Sequence, residues 1–240
     1  MQQFALIARK VALIAGCMLQ QAGCSGQSLP ATVGAHTLVF QRLGGPLLAI
    51  ATPPLATSVS GSVIIVGVGR GDITGFSPPR DNQGAAAYLQ LGETHAYSNW
   101  PKSGTALYVL APATGGPDHV ITTATPPRDE VTLAAIEVVG SRIQDVAWNE
   151  VLAGNPITSG KVKTTGPATL VAFWWGDGTV RYDKTAVPDG GFQVIDAVLE
   201  SGALVQCAVA VKQVSAAGSY DVTWKATPKQ GAQMWVIAIQ

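Results

Sequence analysis

From about Thr37 to the C-terminus the chain reads as short apolar runs cut by Gly, Pro, Asp and Asn. Runs of this length, rich in β-branched and aromatic residues and bounded by turn formers, are the pattern of strands. The candidates begin with HTLVFQR, GSVIIVGVG, AAYLQLGETHAY, TALYVLA and DHVITTA. They continue with EVTLAAIEVVG, DVAWNEV, GKVKTT, ATLVAFWW, TVRYDK, GFQVIDAVL, LVQCAVAVKQV, SYDVTWKAT and AQMWVIAIQ. Some alternate apolar and polar residues, as in YDVTWKA, which implies a sheet with one wet face. Others, such as SVIIVGV, are apolar throughout and imply burial on both faces. RDEVTLAAIEVV has a trace of helical period, but its β-branched content assigns it to a strand. The expected fold class is therefore all-β.

Two stretches of this pattern resemble each other. Placed without gaps, TALYVLAPATGGPDHVITTATPPRDEVTLAAIEV runs along CAVAVKQVSAAGSYDVTWKATPKQGAQMWVIAIQ. Val120 then falls on Val222, Gly116 on Gly218, and Ala124 to Pro126 on Ala226 to Pro228. Upstream, GSVIIVGVGRGD sits where ATLVAFWWGDGT does. This argues for an internal duplication, with halves near 57–139 and 163–240. The link, SRIQDVAWNEVLAGNPITSG, has strand-like runs of its own and no flexible stretch. A two-sheet β-sandwich of jelly-roll type over residues 36–240 is expected, with two tandem immunoglobulin-like domains as the alternative.

The N-terminus differs from the rest. Arg9 and Lys10 precede an apolar run from Val11 to Leu19, followed by small residues. A basic segment, a short apolar core and small residues describe an export signal. Cys17 and Cys24 each follow Ala-Gly, and the segment resembles the signal of bacterial lipoproteins. In that family the Cys of the lipobox is lipidated and becomes the new N-terminus. IAGC (Ile14 to Cys17) fits the local motif better, while QAGC (Gln21 to Cys24) has the longer apolar core before it and the tether-like SGQS after it. Cys24 is the expected lipidation residue and Cys17 the alternative. On this reading residues 1–23 are a signal peptide and 24–35 a tether, and the product is held in the bacterial cell envelope through its N-terminal lipid, or secreted.

Composition narrows the function classes. Net charge is zero and only 12% of residues are charged, so nothing favours a nucleic-acid partner. The body also resembles, in a general way, β-sandwich modules of bacterial surface proteins and phage appendages, which carries no site residues.

Chemistry-bearing residues are sparse. There is no GxSxG elbow and no CxxC, and no cofactor is expected. His36, His95 and His119 lack a catalytic setting, and Cys207, within LVQCAVAV, reads as a small buried hydrophobe. The carboxylates Glu93, Glu130, Glu137, Glu150 and Glu200 are scattered, and no catalytic residue is assigned. Asp177, Asp183 and Asp189 are weak candidates for a cation, with spacing too wide for an EF-hand loop. Arg70-Gly71-Asp72 matches the integrin-recognition tripeptide of matrix proteins, although Gly and Asp also suit a strand-ending turn. The stronger signal is aromatic. Trp174 and Trp175 are adjacent, so one is expected to face outward, and Trp100 lies with Tyr97 in the loop YSNWPKSG. Trp175, Trp174, Trp100 and Tyr97 are therefore the candidate ligand contacts. The expected role is binding or structural, with carbohydrate or protein as ligand. The alternatives are a hydrolase of envelope or extracellular polymer and a structural subunit of a surface or phage-like assembly.

Overall fold

The computed structural model describes residues 29–42, 48–74, 76–84, 87–127, 129–140, 142–177 and 182–240. Cys17 and Cys24 lie outside the described residues. Within them the chain is all-β and its sheets are antiparallel.

The first set of strands is β1 (Thr32–Gln41), β2 (Ala49–Ala51), β3 (Ser62–Arg70), β4 (Arg80–Asp81), β5 (Leu89–Ala96), β6 (Gly104–Ala113), β7 (Ile121–Ala124) and β8 (Val131–Val139). The second is β9 (Ile143–Gly154), β10 (Ile157–Thr158), β11 (Val162–Thr164), β12 (Ala168–Gly176), β13 (Thr185–Pro188), β14 (Gln193–Val198), β15 (Cys207–Val214), β16 (Gly218–Tyr220), β17 (Thr223–Thr227) and β18 (Gln230–Ile239). The first builds a five-stranded sheet, β1-β8-β3-β6-β5, and the second builds β9-β18-β12-β15-β14. The small sheets repeat the same way, β2-β7-β4 and β10-β17-β13. Even the β11–β16 pair has a counterpart, the lone Leu55–His119 bridge.

The structural repeat is thus wider than 57–139 and 163–240. The segment read as a link forms β9 and β10, the counterparts of β1 and β2. β1 also begins at Thr32, inside the segment assigned to a tether. The gap-free alignment slips by one residue before β17. Thr52 N–H donates to Ile121 O while Thr52 Oγ1 accepts from Ile121 N–H; Ser159 and Val222 make the same reciprocal pair. Ile121 therefore matches Val222, and Val120 does not.

The two five-stranded sheets pack face to face, and each is covered on its outer face by smaller strands. Strand alternation explains the layering. Along β3, Val63 and Ile65 point into the central core, while Ile64, Val66 and Val68 pack under β2 and β7 with Ile50 and Ile121. Along β12, Val171, Phe173 and Trp175 enter the central core, while Leu170, Ala172 and Trp174 face Ile157, Val222 and Trp224. With both faces covered, the continuously apolar runs follow.

Contacts across the centre obey an approximate two-fold relation. β1 of the first half lies by β14 of the second, where His36 Nδ1 is 2.8 Å from Asp196 Oδ2. β5 lies by β9, where the His95 ring stacks on Trp148 with centroids 3.8 Å apart. Near the axis the symmetry breaks. β3 and β12 are both nine residues long, and matching them end to end sets Gly67 on Phe173 and Gly69 on Trp175. The two rings stack with centroids 5.0 Å apart, directly over those glycines. A Cβ on Gly67 would stand 2.8 Å from Phe173 Cε1, and one on Gly69 would overlap the Trp175 indole. One half supplies the rings and the other the space for them. Three side-chain hydrogen bonds lie there: Trp175 Nε1 donates to Thr132 Oγ1 at 3.1 Å, Trp235 Nε1 to Thr105 Oγ1 at 2.9 Å, and Thr105 Oγ1 to Gln233 Oε1 at 2.6 Å, while Gln233 Nε2 is buried without a partner.

Candidate functional site

The strand directions give the molecule two ends. Thr32, Val139, Ile143 and Ile239 lie at the end where the described chain begins. Arg70, Gly104, Ala96 and Gly176 lie at the other. The turn that follows β5 is at this far end.

That turn is closed by its own backbone. Tyr97 N–H donates to Ser103 O at 2.9 Å, and Ser103 N–H to Trp100 O at 2.8 Å. The second half flanks it on both sides. Glu150, on β9, accepts from Ser98 N–H at 2.9 Å and from Ser98 Oγ at 2.7 Å. Asp177, just past β12, donates its backbone N–H to Gly231 O at 3.1 Å, and its carboxyl lies beside the Asn99 side chain. Tyr97 is buried, and its hydroxyl donates to Trp175 O at 3.0 Å. Trp100 alone among these rings is outside, 58% exposed at the tip. The result is an aromatic face on a pinned turn between two carboxylates, where the two halves meet. Burial, with the Glu150 charge adding, pushes the Asp177 carboxyl up, against the hydrogen bonds from Gly231 and Asn99.

The other aromatic candidates are placed differently. Trp174 and Trp175 are both fully buried, in the outer and central cores. Neither faces outward, because the outer face of β12 is covered by β10 and β17. Tyr97 positions the turn without reaching solvent.

The three aspartates do not converge. Asp183 Oδ1 accepts from Ser201 N–H at 2.7 Å, Asp189 Oδ1 accepts from Thr223 N–H at 2.9 Å, and Asp177 lies beside the Trp100 turn. Among the described residues no three His, Cys, Asp or Glu side chains group as metal ligands. The tripeptide at 70–72 is not displayed either. Arg70 is buried, with Nε on Asp129 Oδ2 at 2.8 Å and its guanidinium 4.9 Å from the Phe76 ring centroid. Cys207 is buried in the central core, which pushes its thiol well above the ordinary value.

One cluster has no signature in the sequence. Thr57, Asp81, Tyr88 and His119 form a buried chain in the first half. Tyr88 OH donates to Asp81 Oδ2 at 3.1 Å. His119 Nε2 stands 3.3 Å from the same oxygen, an ion-pair distance without hydrogen-bond alignment. His119 Nδ1 is 2.9 Å from Thr57 Oγ1. Burial and the Asp81 charge push the Tyr88 hydroxyl far above its ordinary value, so it stays a donor. The order Asp-His-Thr has the members of a nucleophilic triad, but the Thr57 hydroxyl is enclosed and bonded to Gly116. The chain ties the β2–β3 connection, β4 and the β6–β7 connection together. In the second half Phe192 and Tyr220 stand at the places of Tyr88 and His119, by the pairings of Leu89 with Val109, Gln193 with Val211, Leu55 with His119 and Val162 with Tyr220.

No family model, no curated protein and no solved structure matches the chain.

Proposed function

We propose that the protein is an exported, lipid-anchored component of the bacterial cell envelope that binds carbohydrate through the Trp100 turn. The single observation carrying this reading is the position of Trp100. It is the exposed indole of a turn closed by backbone hydrogen bonds and held by Glu150, with the Asp177 carboxyl beside it. An indole face takes the C–H face of a sugar ring, as it takes other apolar and π surfaces. Carboxylate and amide groups at the same turn suit hydroxyl donors. The turn is pre-formed, so little ordering accompanies binding. The end of the molecule that carries it is opposite the end nearest Cys24, which supports display away from an anchored N-terminus. The two five-stranded sheets packed face to face support a single duplicated sandwich of jelly-roll type over two tandem immunoglobulin-like domains.

The test is binding to envelope and extracellular polysaccharides by calorimetry, with Trp100→Ala beside the wild type. Retained affinity in the variant would end the assignment of this turn.

A second reading, hydrolase, is favoured by the raised Asp177 carboxyl beside Glu150. A pair of carboxyl groups facing one cleft is what glycoside hydrolysis uses as acid and base. It predicts release of reducing ends from a bound polymer, abolished in Asp177→Asn.

A further inference from the structure

The end nearest Cys24 carries an open cavity of about 570 Å³ lined by Leu29, Pro30, Val139, Arg142, Pro167 and Gln240, among others. Leu29 is 88% exposed and Val139 41%, and Arg142 is exposed beside them. The backbone under this surface is rigid. Arg142 and Gln240 exchange both backbone hydrogen bonds at 3.0 Å. Ala31 O accepts from Gln213 Nε2 at 3.2 Å and from Thr169 Oγ1. The chain therefore enters the fold at a fixed point on this face. The nearby acid, Asp145, has its oxygens engaged by the N–H groups of Val146 and Lys163.

We infer that this face rests on the phospholipid headgroups of the anchoring membrane, with Arg142 against lipid phosphate and Leu29 and Val139 at the interface. The inference rests on lipidation of Cys24, and its argument is one of length. Leu29 follows Cys24 by five residues, a span of at most ~17 Å fully extended. As a flexible coil the same span averages about 12 Å. The polar layer on each side of a bilayer is itself about 6 Å deep. A lipidated Cys24 therefore leaves the entry face no room to stand far off the surface. A guanidinium flanked by exposed apolar side chains is suited to that zone, since it binds phosphate and its neighbours tolerate partial dehydration. The Trp100 turn, a strand length away, stands ~30 Å further out.

The experiment uses the full-length lipidated protein in vesicles of phosphatidylethanolamine and phosphatidylglycerol. Val139→Cys and, separately, Lys102→Cys are labelled with a fluorophore, Cys207 being buried. A lipid with a nitroxide on its headgroup serves as quencher. Quenching several-fold stronger at 139 than at 102, reduced by adding Arg142→Glu, is the expected result. Leu29→Cys repeats the measurement if Val139→Cys does not fold. Equal quenching at both ends overturns the inference. The mass of the mature N-terminus separates the two failures. Equal quenching with lipid on Cys24 removes the surface contact and leaves the anchor. A mass without lipid removes both.

Discussion

Asp177 combines two demands in one side chain. Its carboxyl lies beside the Asn99 side chain of the turn, yet burial raises its proton affinity above that of the unfolded chain. Between the two pKa values the folded state binds more protons than the unfolded one, so stability falls as pH rises through that window and then levels off. Asp177→Asn keeps the acceptor and removes the charge. Its melting temperature should exceed that of the wild type at neutral pH, and the gap should close on acidification below the ordinary carboxylate range. The same variant should bind or act on polymer less well, a trade of function against stability that is common where strained groups do the work. Trp100→Ala should show the opposite separation. An exposed tip residue contributes within about 0.5 kcal/mol to stability, so ligand affinity should fall while thermal unfolding stays put.

At the scale of elements, the buried Thr57–His119–Asp81–Tyr88 chain makes a sharp prediction. Tyr88→Phe leaves Asp81 short of a donor and should destabilise by about 1–3 kcal/mol in denaturant unfolding. Phe192→Tyr in the other half adds a hydroxyl to an apolar core and should also destabilise, for the reverse reason. This cluster could not be read from the sequence, because its members are distant and meet only through loops. The long strands were legible, including those buried on both faces, because their apolar content is local, while the short β2, β4 and β13 matched no candidate run and the described part of TVRYDK is not strand. The placement of Trp174 and Trp175 was not. Alternation identifies two faces but not what covers each one, and the cover here comes from β10 and β17, elements of two and five residues. The roles of β9 and β10 were hidden similarly: partial burial on an edge strand leaves a mixed pattern that a connecting segment shares. Trp100 was legible because it sits in a polar, Pro-containing loop, where an aromatic has no packing reason to be.

At the scale of the whole molecule, the central core joins the halves into one unit. Gly69→Ala should destabilise by about 1–3 kcal/mol, since the added methyl meets the Trp175 ring with a sheet on each side. Trp175→Phe in the same chain should recover part of that loss, and the coupling is measurable by a double-mutant cycle. The pairing of rings with glycines has a further consequence. Two copies of the second half would bring four large rings to the axis, and two copies of the first half would leave a hole there. Each half's central face fits the other half and not itself, so any exchange of halves between molecules would still set a first half against a second.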